Sequence, residues 1–577
     1  MGKAYTLDRR FFRGLMQLAG GYWKSEEKKS AWGFLTAITV LTAAAVYVTL
    51  LLNDWFNLFY SALQDYNGQK IYEELLHFTE LAFLYIALSV YTFYLQQRLA
   101  LRWRRWMTHQ YLDRWTGGRM YYRLEMFGRG GTDNPDQRIS EDINLFVSQT
   151  LSFFSGILKS LTTLVCFIFI LWDLSGLLSF SALGREWHVS GYLVWAALLY
   201  AVLGTWITYH VGNRLVGLNF FQQRYEADFR FGMMRMREAA ESIAFYDGAS
   251  RENHLLRSRF RIVLDNFLQI IKKQKQLLWL TNSYGQIAII FPFAVAAPRY
   301  LMREFSLGGL MQVANCFGKV QESLSYFVDA YSDLAAWQAC VERLMTFDEH
   351  MNLSESEAAR CGAALSYRPA EDRLVLEDVS VFLPDHRKLL DHVSASVCAG
   401  DRVLLQGPSG SGKSTLLRVL AGLWPYAEGR VCLPRREAMM FIPQKPYLPI
   451  GTLREAASYP GRPAEDTQLV PLMKQCGLDH LLPSLDQQAD WNHILSLGEQ
   501  QRLAFVRVFL CRPRWIFLDE ATSALDDDME GRLYRLAAAD PAVTLVSIGH
   551  RAGLAAFHSR VWKIDPAAQT VSERIRV

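Results

Sequence analysis

The sequence predicts a chain of two unlike parts, an all-α membrane bundle of six spans with an α/β domain behind it. Two observations carry this. Long, nearly charge-free apolar windows recur through the first 340 residues, and near Met345 the texture changes to short strand-like runs, one of which enters a glycine-rich loop ahead of a helical run. At 577 residues the chain is too long for one compact domain. A hydrophobic fraction of 51% with 20% charged residues excludes an intrinsically disordered chain. A net charge of only +4 supplies no basic field, so no nucleic-acid partner is expected. The 8 cysteines are scattered without C-x-x-C or metal-ligand spacing and read as free thiols in a reducing compartment. The opening MGKAYTLDRRFFRGL lacks the apolar core and small-residue cleavage site of a signal peptide.

About 20 apolar residues cross a hydrocarbon core. Residues 32–52 carry no charge, and 81–95 are likewise clean with Glu80 at the edge. Residues 151–172 hold only Lys159, and 191–209 and 277–297 are free of charge, with Pro292 predicting a kink in the last. The sixth span is read from a heptad of Leu310, Val313, Phe317, Val320, Leu324, Phe327, Tyr331 and Leu334. A soluble coiled coil has the same pattern. After five spans, Lys319, Glu322, Asp329 and Asp333 between the heptad positions are better read as facing a wet cavity.

Basic residues set the orientation. Arg9, Arg10, Arg13, Lys24, Lys28 and Lys29 precede the first span, whereas the next connection holds Asp54, Asp65, Glu73 and Glu74 against one Lys70. Arg98, Arg102, Arg104, Arg105, Arg114, Arg119 and Arg123 follow the second span, Arg185 alone the third, and a Lys/Arg-rich stretch 214–275 the fourth. This alternation places the N-terminus, both long connections and everything after the sixth span in the cytoplasm. Helices extended through those connections would reach a soluble domain and carry its movement into the membrane.

The stretch 349–371 is polar and rich in small residues, a predicted linker between a membrane domain 1–348 and a soluble domain 372–577. There DRVLLQ runs into GPSGSGKST and then the helical TLLRVLAGL, the pattern G-x-x-x-x-G-K-[ST]. Its candidate phosphate-binding residues are Gly407, Pro408, Ser409, Gly410, Ser411, Gly412, Lys413, Ser414 and Thr415. The glycines let backbone N–H groups turn toward phosphate at a helix N-terminus, Lys413 reaches the β- and γ-phosphates, and the Ser414 hydroxyl ligates Mg²⁺. Further on, an apolar strand ends in Asp519, a second Mg²⁺ contact, and Glu520, placed to orient or deprotonate an attacking water.

Together these residues resemble the ATP-binding cassette of ABC transporters. GPSGSGKST resembles its Walker A, IFLDE its Walker B, SALD with Asp526 its D-loop, and LSLGEQQR its signature. FIPQKPYLP supplies Gln444 as the Q-loop glutamine, which the resemblance makes a catalytic and Mg²⁺ contact, and SIGHR supplies His550 as the switch histidine. AGLWPYAEGRV and PQKPYLPIGTLREAASYP are similar to the D family of half-transporters. DNPDQRISED and EAAESIAFYDGASREN resemble that family and its bacterial SbmA/BacA-type relatives, and LLNDWFNLFYSAL resembles the bacterial branch, in which this membrane domain is fused to a cassette. Two places depart from the family pattern. Leu497, Gly498 and Glu499 stand where Gly-Gly-Gln is usual, and the Glu499 carboxylate would be unfavourable beside phosphate unless it points away. Leu383 stands where the adenine-stacking aromatic is expected, with Phe382 one position early.

The resemblance implies a type IV exporter-like fold and ATP hydrolysis with Mg²⁺ at a composite site. One chain has one Walker A and one signature, so two copies are required: Lys413, Ser414, Gln444, Asp519, Glu520 and His550 from one, and Ser496 and Gly498 from the other. The partners implied are a second copy of the chain, membrane lipids and a transported small molecule or peptide. The location implied is a bacterial inner membrane. SbmA/BacA-type relatives imply uptake of peptides or bulky hydrophilic compounds, and D-family relatives imply acyl-CoA, fatty acids or lipids. A third reading is a proton-driven carrier with a regulatory cassette, for which Glu73, Glu74 and Glu80 are the carboxylates to consider.

Overall fold

The structure, a computed structural model, describes residues 9–127, 134–182, 185–362, 364–370 and 372–575. Asp133, which opens the DNPDQRISED motif, lies outside them. The chain divides into two compact units, Met1–Met351 and Asn352–Val577.

The first unit is helical. α1 (Arg9–Lys24), α2 (Lys28–Gln64) and α3 (Gly68–Thr116) are followed by short α4 (Met120–Phe127) and α5 (Pro135–Gln137), which runs through a π-helical turn, Arg138–Asp142, into α6 (Ile143–Ser175). Strands β1 (Leu177–Ala182) and β2 (Arg185–Ser190) pair antiparallel where the sequence predicts only a short connection. Then come α7 (Tyr192–Glu238), α8 (Ala240–Phe245), α9 (Ala249–Leu301), α10 (Leu307–Asp329) and α11 (Tyr331–Gly362). Among the described residues, four helices are long and apolar enough to cross a membrane: Lys28–Gln64, Gly68–Met126, Pro135–Ser175 and Ala249–Ala297. A shorter apolar stretch, Tyr192–Gly204, opens α7. The six-span reading therefore leans on α7 and α10 for its fourth and sixth members.

At 1.5 Å per residue, the 49 residues of α3 and the 53 of α9 run ~70–80 Å, more than twice the thickness of a hydrocarbon core. The long connections are thus helical extensions, and α9 continues unbroken past Pro292. The heptad of α10 packs inward: Val313, Phe317 and Val320 are buried with Phe167 and Leu171 of α6 and Leu193 and Ala197 of α7. The side chains of Phe327, Asp329 and Tyr331 lie outside those described. A second core joins α1, α3, α6 and α11, where Tyr22 stacks on Trp103 at 5.6 Å beside Phe146, Leu344 and Phe347. The expected linker differs from the structure: α11 carries through it to Gly362, because a polar, Ala- and Glu-rich run is also a good solvated helix.

The second unit holds a four-stranded sheet of β3 (Leu365–Pro369), β4 (Arg373–Phe382), β5 (Lys388–Cys398) and β7 (Ala427–Leu433) in the order β3-β7-β4-β5. β6 (Arg402–Gln406) leads through a loop into α12 (Lys413–Leu420). β8 (Met439–Ile442) is followed by β9 (Gly451–Thr452), which later pairs with β10 (Gln488–Ala489). Between those two lie α13 (Leu453–Ser458) and α14 (Asp466–Gln475). After them come α15 (Trp491–Ile494), α16 (Leu497–Cys511), β11 (Trp515–Asp519), α17 (Asp527–Ala537), β12 (Thr544–Ile548), β13 (Arg560–Asp565) and β14 (Thr570–Ile575). The central sheet has the order β14-β13-β6-β12-β11-β8, parallel throughout except at β14. Buried strands such as β11 and β12 read as near-continuous apolar runs, as a parallel sheet covered on both faces demands.

His558 shows how tightly this unit is packed. It is 4% exposed, donates from Nδ1 to Leu554 O at 2.8 Å and accepts at Nε2 from the Ser547 hydroxyl at 2.9 Å, a neutral arrangement. Burial pushes its pKa down from 6.5 to about 4. Between those values the unfolded chain takes up a proton that the folded one refuses, so stability falls as pH drops from 6.5 to 4 and is flat below. The loss should total about 3 kcal/mol. Urea midpoints of the second unit's unfolding at pH 7 and 4.5 should differ accordingly, with the difference shrinking in His558→Gln.

Candidate active site

Every Walker-type residue sits at the carboxyl edge of the parallel strands, where an open α/β sheet presents ligands. The loop after β6 wraps with Gly410 (φ 79) and Gly412 (φ 94) in the left-handed region that favours glycine. Gly412 then serves as the N-cap of α12. The Lys413 ammonium is folded back, donating to Gly407 O and Pro408 O at 2.9 Å each, and burial draws its pKa down against the opposing pull of Glu520 and Asp519. Ser411 Oγ is buried under the loop with no hydrogen-bond partner.

Asp519 ends β11 and accepts from the Ser414 hydroxyl at 2.9 Å. Burial raises its pKa, the Ser414 bond opposes this, and neighbouring Glu520 adds to the rise. The hard oxygens of Ser414 and Asp519, side by side, form a donor pair that suits Mg²⁺. The orphaned Ser411 hydroxyl, the ammonium of Lys413 and the α12 N-terminus suit a polyphosphate.

Glu520 is the hub. Its backbone is left-handed (φ 49) and its N–H donates to Ile548 O at 3.1 Å. That conformation costs on the order of 1 kcal/mol and clusters at functional positions. Gln444 Nε2 donates to Glu520 Oε2 at 3.1 Å, and His550 Nε2 lies 3.1 Å from Oε1. Residues 76 and 30 positions away in the chain thus converge on one carboxylate.

Among the described residues, no side-chain hydrogen bond joins Ser496 to Lys413, Asp519 or Glu520, although Gln501 of the signature reaches Gln444. Ser496 caps α16 in a reciprocal capping box with Glu499, and a Cβ at Gly498 would come 3.1 Å from Ala524 O of the D-loop. Asp526 is the N-cap of α17 without a side-chain cap bond. Glu499 is turned into the cap and also meets His480 at 2.7 Å. Burial alone would raise its pKa, but hydrogen bonds from Ser496 and His480 together hold it below the usual glutamate value. Phe382 and Leu383 are both half-buried, and Phe382 O accepts from Trp424 Nε1 at 2.8 Å.

Three further side chains brace these loops, Gln501 and Arg551 from inside the LSLGEQQR and SIGHR motifs and Arg507 from beyond them. Gln501 is fully buried on α16 and donates to Gln444 O at 3.0 Å and Ser523 Oγ at 3.1 Å, while its Oε1 accepts from Ala524 N at 3.0 Å. Arg551 donates to Leu525 O at 2.6 Å and Ser523 O at 3.1 Å, fixing the D-loop from beside His550. Arg507 donates to Ala456 O at 2.7 Å and Tyr447 O at 2.8 Å, and burial pushes its pKa down to about 10. A polar residue on the inner face of a predicted amphipathic helix is the one sequence signal for Gln501 and Arg507.

The chain is similar to known proteins along most of its length. Residues 22–301 match the family described as ABC transporter transmembrane region 2, and 390–523 match the family described as ABC transporter. The inner membrane ABC transporter ATP-binding protein YddA of Escherichia coli is 33% identical over 92% of this chain and 94% of its own. ABC transporter D family member 2, chloroplastic, of Arabidopsis thaliana is 31% identical over 99% of this chain and 88% of its own. The human lysosomal cobalamin transporter ABCD4 is 29% identical over 100% and 98%. The fold is like that of a bacterial Atm1-family ABC exporter with ATP bound, with a TM-score of 0.72 at 19% identity over 93% of this chain and 95% of that one.

Proposed function

The chain belongs to the ABC transporters, as a half-transporter whose cassette is an ATPase coupled to transport, and on that premise we propose that two copies clamp ATP between their cassettes to move a bulky hydrophilic cargo across a bacterial inner membrane. The observation that carries the ATPase chemistry is the convergence of Gln444 and His550 on Glu520, beside the Ser414–Asp519 pair. In this reading the loop 407–415 and Lys413 hold the phosphates, Glu520 takes a proton from the attacking water, and His550 and Gln444 keep its carboxylate aimed. Mg²⁺ held by Ser414, Asp519 and Gln444 would neutralise charge on the transferred phosphoryl group. Ser496 and Gly498 of one copy would close on the nucleotide of the other, with Asp526 at the same seam, and loss of the γ-phosphate would reopen it.

A homodimer is supported by two features. One chain brings a single Walker A and a single signature, and Ser496 at the head of that signature bonds within its own cap. The lower part of the α7–α9 pair also leaves Phe231, Phe260 and Phe267 exposed, 44–56% each, as surfaces that pack in an assembly do. Polar groups for such a cargo are offered by a groove of about 420 Å³ between α9 and α10, where Asn315, Lys319, Gln321 and Glu322 stand beside apolar Ile289, Pro292 and Phe293, with Lys319 and Glu322 paired at 2.9 Å. The cobalamin named for the human relative is likewise large and polar. The SbmA/BacA-type resemblance carries the inward direction, and the basic cytoplasmic segments carry the orientation, N-terminus and cassette inside.

Proteoliposomes supplied with ATP and no proton gradient should accumulate a hydrophilic peptide or corrinoid. Accumulation driven by a proton gradient without ATP would reverse the assignment of energy source. Preference for a long-chain acyl-CoA would move the cargo to lipids. Light scattering in detergent should give twice the mass of the chain, and a monomer with full ATPase rate would count against the paired site.

A further inference from the structure

Two anions compete for one helix N-terminus. The first-turn N–H groups of a helix attract phosphate, and the proposed pairing of copies brings the γ-phosphate of ATP to the head of α16. The Glu499 carboxylate is already there. Its Oε2 accepts from Ser496 N at 2.9 Å and from the Ser496 hydroxyl at 2.7 Å. Released from that cap, it would meet the phosphate as like charge at close range. Its other oxygen, Oε1, accepts from His480 Nε2 at 2.7 Å, and the Glu499 side chain is 19% exposed. His480 lies in the short helical turn Asp479–Ser484, so it reaches the signature from outside the helix that the signature begins.

We propose that His480 is a positioning residue for the signature: its imidazole keeps Glu499 locked in the α16 cap, so that the loop presents the Ser496 hydroxyl and the Gly498 N–H, not a carboxylate, to the γ-phosphate held by the second copy. When phosphate arrives, the Ser496 hydroxyl turns from Glu499 to it. Glu499 keeps the Ser496 N–H and the His480 bond, and its charge stays directed away from the seam. The Leu497-Gly498-Glu499 signature works because a residue 19 positions upstream restrains its acid. The assignment rests on the two-copy, ATP-clamping reading given above.

The test is steady-state ATPase of the full-length protein in nanodiscs. His480→Ala should raise KM for ATP about fivefold or more with kcat within about twofold, since the defect lies in closing on nucleotide rather than in water activation. His480→Gln, whose amide can still donate to Oε1, should stay near wild type. The double variant His480→Ala/Glu499→Gln should recover the wild-type KM, because glutamine fits the same capping box without charge. An unchanged KM in His480→Ala overturns the proposal, as does a raised KM that Glu499→Gln does not relieve, the mark of a merely structural role. Wild-type protein without ATP hydrolysis would overturn the ATPase reading itself, a result that these variants cannot mimic.

Discussion

Replacing Glu520 with Gln is expected to cut ATP turnover by about 10³-fold while leaving nucleotide binding in place. Binding belongs to the loop after β6 and to Lys413, neither of which the change touches. What it removes is the group proposed to take the proton from water. Both oxygens of Glu520 are engaged, Oε2 by the Gln444 amide and Oε1 by the His550 imidazole. A glutamine of the same shape brings an NH₂ that must face one of these two donors. The left-handed backbone at position 520 is kept, so the variant should fold. Equilibrium binding of a fluorescent ATP analogue, beside single-turnover hydrolysis, measures both halves. Turnover within tenfold of wild type would shift the base role away from Glu520.

The second large effect is expected in the helical unit. Asp142 closes the π-helical turn ahead of α6, and its side chain is only 4% exposed. It accepts from Arg343 of α11 through two bonds of 2.6 and 2.9 Å and from Arg138 at 2.7 Å. Removing one partner from a buried ion pair leaves charge in a poorly solvated site and costs about 3–5 kcal/mol. Asp142→Ala should therefore lower the thermal midpoint of the detergent-solubilised protein sharply. Arg343→Met should cost less, because Asp142 retains Arg138 and Arg343 is itself 39% exposed. Equal midpoints for the two variants would show that the network is not limiting for stability.

The cassette was legible because its chemistry demands fixed local spacing. A loop that turns N–H groups toward phosphate needs its glycines and lysine in order, and an acid beside it needs a strand end, so Lys413, Ser414, Asp519 and Glu520 could be placed from neighbours alone. The apolar windows were legible for a similar reason, since a hydrocarbon core has one thickness. What stayed hidden depends on side chains that meet across the fold. The bond of Glu499 to His480 and the partners that Gln501 and Arg507 find on other elements have no local signature. The predicted linker became helix down to Gly362 because polarity marks solvent exposure, not disorder. The β1–β2 hairpin was missed because its two strands are short and lie between helices that dominate the pattern.

Gln501 carries the longest consequence. It lies one helical turn beyond Gly498, and it holds the carbonyl of the same Gln444 whose amide steadies Glu520. If two copies pair as proposed, the helix that meets one nucleotide would be wired through Gln444 to the proposed base acting on the other. The two reaction centres should not fire independently: rate against ATP concentration should be sigmoidal, and one crippled copy should slow its healthy mate.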